Sequence, residues 1–187
     1  MQKELSLKSL TIIGVLGALS AVLGMTPLGF IPLGPISITI MHIPVIIGAI
    51  YGGVTVGASV GLIFGIVSLI RAIIAPTVIS PALYNPLISI LPRVLIGVVT
   101  GYSYMAFQNS SSKILKYSIP AALGSLTNTI GFLSGLYFFY GRELANLLGG
   151  SSLVGKGVIG IGLSNGVPEM IVAAIITTAT MSKIKNL

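Results

Sequence analysis

The sequence predicts an all-α integral membrane protein with six transmembrane helices and both termini in the cytoplasm. Two features of its composition lead to this fold class: 54% of the 187 residues are hydrophobic and only 7% are charged. A soluble domain carries roughly 25% charged residues, because its surface faces water. So few charges cannot cover a water-facing surface, and this surface must therefore face lipid. The length fits one domain, so we expect a single membrane domain over residues 1–187.

Six apolar segments are candidates for membrane-spanning helices, since a crossing needs about 20 mostly apolar residues. The first two are short and are bounded by glycine and proline. Because five segments follow the first, we interpret it as a span and not as a cleaved signal peptide. The predicted spans are Ser9–Gly24, Ile40–Tyr51, Val54–Ile74, Pro86–Phe107, Ile114–Phe139 and Val158–Met181.

The distribution of lysine predicts the orientation of these spans. Lysines precede span one, separate spans four and five, and follow span six, so six spans place all three groups on one face. Lysine and arginine are enriched in cytoplasmic segments, which puts both termini in the cytoplasm. The net charge of +7 therefore fits topology and contact with anionic lipid better than nucleic-acid binding, for which there is no soluble basic domain. The groups are Lys3 with Lys8, Lys113 with Lys116, and Lys183 with Lys185.

The longer connections all fall on the opposite, external face. They are Met25–Ser37, Ala75–Asn85 and Tyr140–Gly157, whereas the internal turns at 52–53 and 108–116 are short. Loops clustered at one end of a helical bundle are a usual location for a lid or a binding site. We therefore expect a ligand site at the external end.

Small residues recur at fourfold spacing along spans one and three. Residues four apart lie on one face of a helix, and small side chains let a second helix approach closely. This spacing favours packing inside the protein, although in span one the face could instead dock a partner protein. The span-one residues are Gly14, Gly17, Ala18 and Ala21, and those of span three are Gly53, Gly57, Gly61 and Gly65.

Polar side chains inside spans are functional candidates, because they are costly to insert into lipid. Asn165 and Glu169 lie four apart on one helix face, and Pro168 between them loosens the helix locally. A polar face beside a broken helix is a common way to build a substrate site in a membrane. The alternative is that Glu169 neutralises Arg93 or Arg71.

Two arginines and one glutamate leave one positive charge uncompensated within the spans. The planar guanidinium group suits a carboxylate or a phosphate, so we expect a substrate with an anionic group. For Arg71, near the outer end of span three, snorkelling to the interface is the alternative. The further polar candidates are Asn128 and His42, the latter more commonly a packed or capping residue than a ligand.

The residues that enzymes and metal sites require are scarce. The chain contains no cysteine and one histidine, which excludes disulfides and thiolate chemistry and argues against a metal site. Gly57–Gly61 resembles a nucleophile elbow, but it lies within a predicted helix and lacks a paired histidine. No P-loop pattern is present, so ATP would have to be hydrolysed elsewhere. We expect no catalytic residue, metal or cofactor; an intramembrane enzyme and a self-sufficient channel or carrier are more distant alternatives.

Three stretches of the sequence carry a resemblance to a known family. They are TPLGFIPLGPISITIMHIPVIIGAIYGG at Thr26–Gly53, NPLISILPRVLIG at Asn85–Gly97 and NGVPEMIVAAI at Asn165–Ile175. With six spans and both ends inside, the chain resembles the substrate-binding S component of an energy-coupling factor (ECF) transporter. The HIPVIIGA and NPLISILPR stretches are most similar to the pantothenate-type branch of this family.

The resemblance implies a vitamin-import subunit of a bacterial plasma membrane. Such a subunit captures its vitamin from outside and joins a membrane scaffold subunit and two cytoplasmic ATPase subunits. It then topples in the membrane and carries the closed site to the cytoplasmic side. Pantothenate would be the substrate, and riboflavin, a pyrimidine precursor of thiamine and pyridoxine are the alternatives within the family.

The resemblance also implies roles for individual positions. An arginine would pair with the pantothenate carboxylate, and the asparagines with its hydroxyl and amide groups. The expected substrate-binding residues are Asn85, Arg93, Asn128, Asn165 and Glu169, joined by Arg71 and His42. The expected gate loop includes Thr26, Pro27, Phe30, Pro32 and Gly34, and the face expected to contact the scaffold is Gly14, Gly17, Ala18 and Ala21.

Overall fold

The computed structural model describes residues 6–33, 36–77, 79–148 and 151–184, and over these residues the chain is predominantly helical. A 3₁₀ turn covers Pro27–Gly29, and π-helical turns cover Ile114–Ser118 and Gly162–Gly166. Two short strands follow the first helix, β1 (Phe30–Leu33) and β2 (Ile36–Thr39). The helices are α1 (Leu7–Met25), α2 (Ile43–Gly52), α3 (Val54–Ile74), α4 (Ser80–Leu83), α5 (Pro86–Ser89), α6 (Leu91–Phe107), α7 (Ile119–Leu148), α8 (Ser151–Ile161) and α9 (Val167–Ile184).

Four of the described segments are long and apolar enough to cross a bilayer. The α2 helix is shorter, because its ten residues rise only about 15 Å. It lies inside the bundle, with Val45, Ile46 and Ala49 fully buried. These helices confirm an α-helical membrane protein, whereas the six crossings and the cytoplasmic termini stay a prediction. The four segments are Leu7–Met25, Val54–Ile74, Pro86–Phe107 and Gly155–Ile184.

A β-hairpin lies in the connection Met25–Ser37, which we predicted as an external connection, and extends to Thr39. The strands β1 and β2 are antiparallel, with Phe30 opposite Thr39, and the Ile40 N–H extends the pairing by donating to the Gly29 carbonyl at 3.0 Å. The segment from Ile36 to Ile40 alternates isoleucine with serine and threonine, which is the period of a strand. The segment therefore connects two helices as predicted, but the sequence analysis did not predict its strands.

The connection Tyr140–Gly157, also predicted as a loop, is largely helical. The α7 helix bends at Tyr140, where φ is −129° and ψ is 15°, and continues to Leu148, while α8 begins at Ser151. The segment 142–148 consists mainly of arginine, glutamate, leucine and alanine, which are good helix formers. This prediction was wrong because we ended the helix where the polar residues begin and did not consider that those residues favour a helix.

Glycines bring α3 and α6 into direct backbone contact. A methyl group at Gly61 would overlap the Arg93 carbonyl, and one at Gly97 would overlap the backbone of Gly57. In lipid, helices associate by such close packing, because hydrocarbon offers no hydrophobic driving force between them. The packing role expected for the span-three glycines is therefore confirmed for Gly57, Gly61 and Gly65, whereas nothing lies within 4 Å of a methyl group at Gly53. We call the contact formed by Gly57, Gly61 and Gly97 the α3–α6 seam.

The small residues of α1 divide between two faces. Gly17 is buried, and a methyl group there would lie about 2.5 Å from Ile63 Cδ1 of α3. Gly14 and Ala18 are exposed and Ala21 is half-buried. Gly17 thus serves internal packing, and Gly14 with Ala18 forms the exposed part of the predicted scaffold-contact face.

The directions of the helices define two ends of the bundle. In the antiparallel α3–α6 pair, Gly57 lies against Gly97, and in the antiparallel α7–α9 pair, Ser118 and Thr178 are joined by a 2.8 Å hydroxyl–hydroxyl hydrogen bond. One end, the hairpin end, holds the hairpin and the 75–90 connection. The opposite lysine end holds Lys8, Lys113, Lys116 and Lys183.

Candidate functional site

A cavity of about 380 Å³ lies at the hairpin end of the bundle, within the range of small-molecule sites. Its walls come from the ends of α1 and α3, from β2, from the 77–83 segment, from the start of α6 and from the middle of α7. The turn that precedes α9 closes the remaining side. The predicted residues that line it are Arg71, Arg93, Asn128, Asn165 and Glu169.

Arg93 is buried at the first turn of α6 and is held from three directions. Its Nη1 donates to the Ile88 carbonyl at 2.8 Å, and its guanidinium carbon lies 5.6 Å from the Phe64 ring centroid and 5.5 Å from that of Phe132. Such cation–aromatic contacts fix the group in an apolar setting. Its Nε has no hydrogen-bond partner among the described residues. The guanidinium carries five N–H donors and therefore retains capacity for a ligand.

Glu169 lies in the first turn of α9 and binds the base of the hairpin. Its Oε1 accepts a 2.8 Å hydrogen bond from the Thr39 N–H and a 2.7 Å hydrogen bond from the Thr39 hydroxyl. Only 6% of Glu169 is exposed. The carboxylate is attracted electrostatically to Arg93, but its hydrogen bonds go to Thr39. If Glu169 neutralises the charge of Arg93, it does so by electrostatic attraction and not through a hydrogen bond among the described contacts.

Asn128 and Asn165 present amide groups to the cavity from α7 and from the turn before α9. The Oδ1 atom of each is buried without a hydrogen-bond partner among the residues that the structure describes. A buried polar group without a partner costs about 1–3 kcal/mol. Because both residues line the cavity, a bound molecule that reaches these amides can form the missing hydrogen bonds.

A π-helical turn between α8 and α9 determines the position of Asn165. Residues Gly162–Gly166 form a π-helical turn, and Pro168, two residues later, has no backbone N–H to donate to the carbonyl four residues earlier. A single π-helical turn inside a helix commonly marks a functional site. This turn lies directly before the predicted site of loosening at Pro168, which itself belongs to α9.

The remaining predicted residues lie at the mouth or outside the cavity. Arg71 lines it from the last turn of α3. Asn85 does not line the cavity; its side chain caps α5 by accepting from the Leu87 N–H at 3.0 Å. His42 is buried directly before α2, away from the lining. Thr26 ends α1 by donating its hydroxyl to the Val22 carbonyl at 2.7 Å.

The other gate-loop positions lie within or beside the hairpin. Pro27 begins the 3₁₀ turn, and Phe30 and Pro32 belong to β1. Gly34 lies outside the described residues.

Sequence reasoning missed two groups of residues around the cavity. Thr39 binds Glu169, and Phe64 with Phe132 encloses Arg93. The alternation of serine and threonine with isoleucine around Thr39 was a usable signal for a strand with one polar face. The aromatic pair gave no such signal, because α3 and α7 are separated in sequence and meet only in the fold.

A second cavity, of about 500 Å³, lies between α7 and the α8–α9 segment. It is lined mainly by apolar side chains, among them the exposed Ile130, Phe138 and Ile159. None of its described lining residues is charged. The cavity at the hairpin end is therefore the one suited to an anionic or strongly polar molecule.

The lining of that cavity suits recognition of a small molecule. It offers guanidinium groups, amides and hydroxyls, which together bind an anionic group and several neutral polar groups. Among the described residues, no group of three or more histidine, cysteine, aspartate or glutamate side chains is placed to hold a metal ion.

Comparison with known proteins identifies the family. The family model for the substrate-specific component of ECF transporters matches residues 8–180. The chain is also similar to the pantothenic acid transporter PanT of Lactococcus lactis subsp. cremoris (strain MG1363), with 29% identity over 170 residues and 81% of each chain covered. The chain therefore belongs to the family of ECF transporter substrate-specific components and is a transport subunit of the plasma membrane, not an enzyme.

Proposed function

We propose that this chain binds pantothenate in the cavity at the hairpin end, as the substrate-binding subunit of an ATP-driven vitamin importer. The similarity to a pantothenic acid transporter over 81% of the chain supports the choice of vitamin. Membership of the ECF family supports the remaining parts of the complex, a membrane scaffold subunit and two cytoplasmic ATPase subunits. The ATPase subunits supply the energy, and this chain supplies specificity.

The chemistry of the cavity is the observation that carries this proposal. Pantothenate has one carboxylate, two hydroxyl groups and one amide. Arg93 and Arg71, which both line the cavity, supply cationic donors for the carboxylate. The unpartnered Oδ1 atoms of Asn128 and Asn165 accept from the hydroxyl groups and the amide N–H. Asn85 and His42, which lie outside the lining, have no part in this proposal.

The proposed topology has six crossings in one membrane domain over residues 1–187, with both termini in the cytoplasm. The position of four of the five described lysines at one end supports it, because lysine is enriched on the cytoplasmic side, and Lys156 in α8 is the exception. The cavity then faces outward, where the vitamin is captured. The proposed gate is the hairpin segment, with the expected gate residues Thr26, Pro27, Phe30 and Pro32.

Contact with the scaffold subunit is proposed for the exposed part of the small-residue face of α1. Gly14 and Ala18 lie four residues apart and are exposed, so a second helix can approach closely there. Gly17 packs against Ile63 inside this chain and supports the face from behind.

The test is equilibrium binding of a vitamin panel to the purified chain in detergent, without partner subunits. We expect saturable binding of pantothenate, and little binding of riboflavin, the thiamine pyrimidine precursor or pyridoxine. Replacing both arginines, Arg71→Gln with Arg93→Gln, removes the cationic donors and should abolish binding. Tight binding of another vitamin would retain the family role and reject pantothenate. Undiminished binding after the double substitution would reject the arginine–carboxylate pairing.

A further inference from the structure

Glu169 is the one carboxylate among the described residues that line the cavity, so it is a rival of any anionic ligand. It shares this cavity with Arg93, and the two buried side chains attract each other. An arginine and a carboxylate in a buried site ordinarily form a direct, often bidentate, hydrogen-bonded pair. Among the described contacts, no hydrogen bond joins these two residues. The hydrogen bonds of the carboxylate go instead to a neighbouring group.

That group is Thr39. Both its backbone N–H and its hydroxyl donate to the same Glu169 oxygen, at 2.8 Å and 2.7 Å. The position of Thr39 is fixed, because it pairs with Phe30 across the hairpin. The next residue, Ile40, continues the pairing through the 3.0 Å bond to the Gly29 carbonyl. Two donors on a fixed backbone hold the carboxylate in one orientation.

We propose that Thr39 is a positioning residue that holds the Glu169 carboxylate away from Arg93 and keeps the guanidinium group available for the anionic group of the ligand. The inference rests on the proposed function of the cavity. When Thr39 loses its hydroxyl, Glu169 turns to Arg93 and occupies the place of the ligand carboxylate. Thr39 also lines the cavity, so the test must separate this action through Glu169 from a direct contact between Thr39 and the ligand.

Suppression of one substitution by another tests this arrangement. We expect Thr39→Val to weaken pantothenate binding by about 10-fold, the worth of one hydrogen bond to a charged group. Glu169→Gln alone should bind pantothenate more tightly than the native chain, because the amide oxygen still accepts from Thr39 while the rival charge is gone. The double variant Thr39→Val with Glu169→Gln should regain affinity to within about 3-fold of the native chain.

Two further variants separate this role from a general loss of structure. Thr39→Ser keeps the hydroxyl and should bind as the native chain does. Thr127→Val is the matched control, since the Thr127 hydroxyl donates to the Leu123 carbonyl of its own helix at 2.7 Å and lies outside the cavity lining. The inference is overturned if the double variant binds as weakly as Thr39→Val, or if Glu169→Gln alone is as damaging.

A readout without ligand distinguishes failure of this inference from failure of the proposed function. In protein labelled with [15N]arginine, the Nε–H signal of Arg93 is assigned by its disappearance in Arg93→Gln. We expect Thr39→Val to shift this signal, and Glu169→Gln to reverse the shift in the double variant. An unshifted signal overturns the inference even where pantothenate binds. If the native chain binds no pantothenate, the proposed function fails, and the signal still decides whether Thr39 controls Glu169.

Discussion

The α3–α6 seam and the cavity adjoin each other, and they are built in opposite ways. At the seam, the glycines bring two backbones into contact and leave no room for a methyl group. In the cavity, charged and amide side chains line a common space, and some of their buried atoms have no hydrogen-bond partner among the described residues. Arg93 joins the two regions, because its carbonyl lies against Gly61 while its guanidinium lines the cavity.

This contrast teaches how a small membrane protein holds a polar site in lipid. Close packing between helices substitutes for the hydrophobic force that lipid cannot provide. It fixes the backbone from which Arg93 projects, so the guanidinium can be held ready without a bound anion. The unpartnered amides then carry a free-energy cost that a ligand removes. Rigid packing at the α3–α6 seam thus allows polar atoms in the neighbouring cavity to remain without hydrogen-bond partners among the described residues.

The largest expected effect comes from disrupting the seam. Gly61→Ala places a methyl group against the Arg93 carbonyl, and overpacking of this kind costs about 1–3 kcal/mol. We expect a lower free energy of unfolding and weaker pantothenate binding, because Arg93 moves. Thermal unfolding and titration calorimetry measure both effects.

Gly160→Ala in α8 is the matched control, since nothing lies within 4 Å of a methyl group there. Alanine is favoured over glycine inside a helix by about 0.5–1 kcal/mol, so this variant should be as stable as the native chain or slightly more so. Equal stability of the two alanine variants would show that the seam does not depend on glycine.

The next largest expected effect comes from replacing Arg93 in the cavity. Arg93→Gln removes the charge and the forked donor, and we expect about 100-fold weaker pantothenate binding, from charge-assisted hydrogen bonds worth about 1.5–3 kcal/mol. Arg93→Lys keeps the charge but not the planar fork, so its affinity should lie between the two. Arg142→Gln, at an exposed arginine outside the lining, is the control. Equal affinity of Arg93→Gln and Arg142→Gln would exclude Arg93 as the carboxylate partner.

A smaller effect separates two asparagines that the sequence did not distinguish. Asn165→Ala removes a lining amide and should weaken binding about 10-fold, as expected for one or two neutral hydrogen bonds. Asn85→Ala removes the cap of α5 and should lower stability by about 1 kcal/mol while affinity changes less than about 2-fold. If Asn85→Ala weakened binding more than Asn165→Ala, Asn85 and not Asn165 would belong to the binding site.

The smallest effect on the isolated chain is expected on the exposed face of α1. Ala18→Leu should leave pantothenate affinity unchanged, because Ala18 is exposed and distant from the cavity. It should instead impair co-purification with the scaffold subunit and ATP-dependent uptake in proteoliposomes, since a large side chain prevents close approach of helices. Normal uptake by this variant would reject the proposed docking face.

The sequence was sufficient for the helical membrane class and for part of the site. Hydrophobic runs marked the long helices, and the rarity of polar residues within them singled out Arg71, Arg93, Asn128, Asn165 and Glu169. A charge or amide in a span is conspicuous because its insertion is costly. This signal is local, and it therefore survives in a single sequence.

What the sequence missed depends on contacts between distant segments. The Thr39–Glu169 bonds join residues 130 positions apart, and no local pattern specifies such a pairing. Asn85 is as polar as Asn165, but only the fold shows that it caps a helix. The helical segment after Tyr140 was mistaken for a loop because polarity marks the end of a membrane span and not the end of a helix.

The most direct test of the central claim, that this cavity is built for an anionic vitamin, is a paired titration with pantothenate and its primary amide. The two ligands differ only in whether the terminal group carries a charge. The account predicts that the purified chain binds pantothenate about 100-fold more tightly than the amide, and that the difference disappears when Arg71 and Arg93 are both glutamine. Equal affinity of the native chain for the two ligands would contradict it.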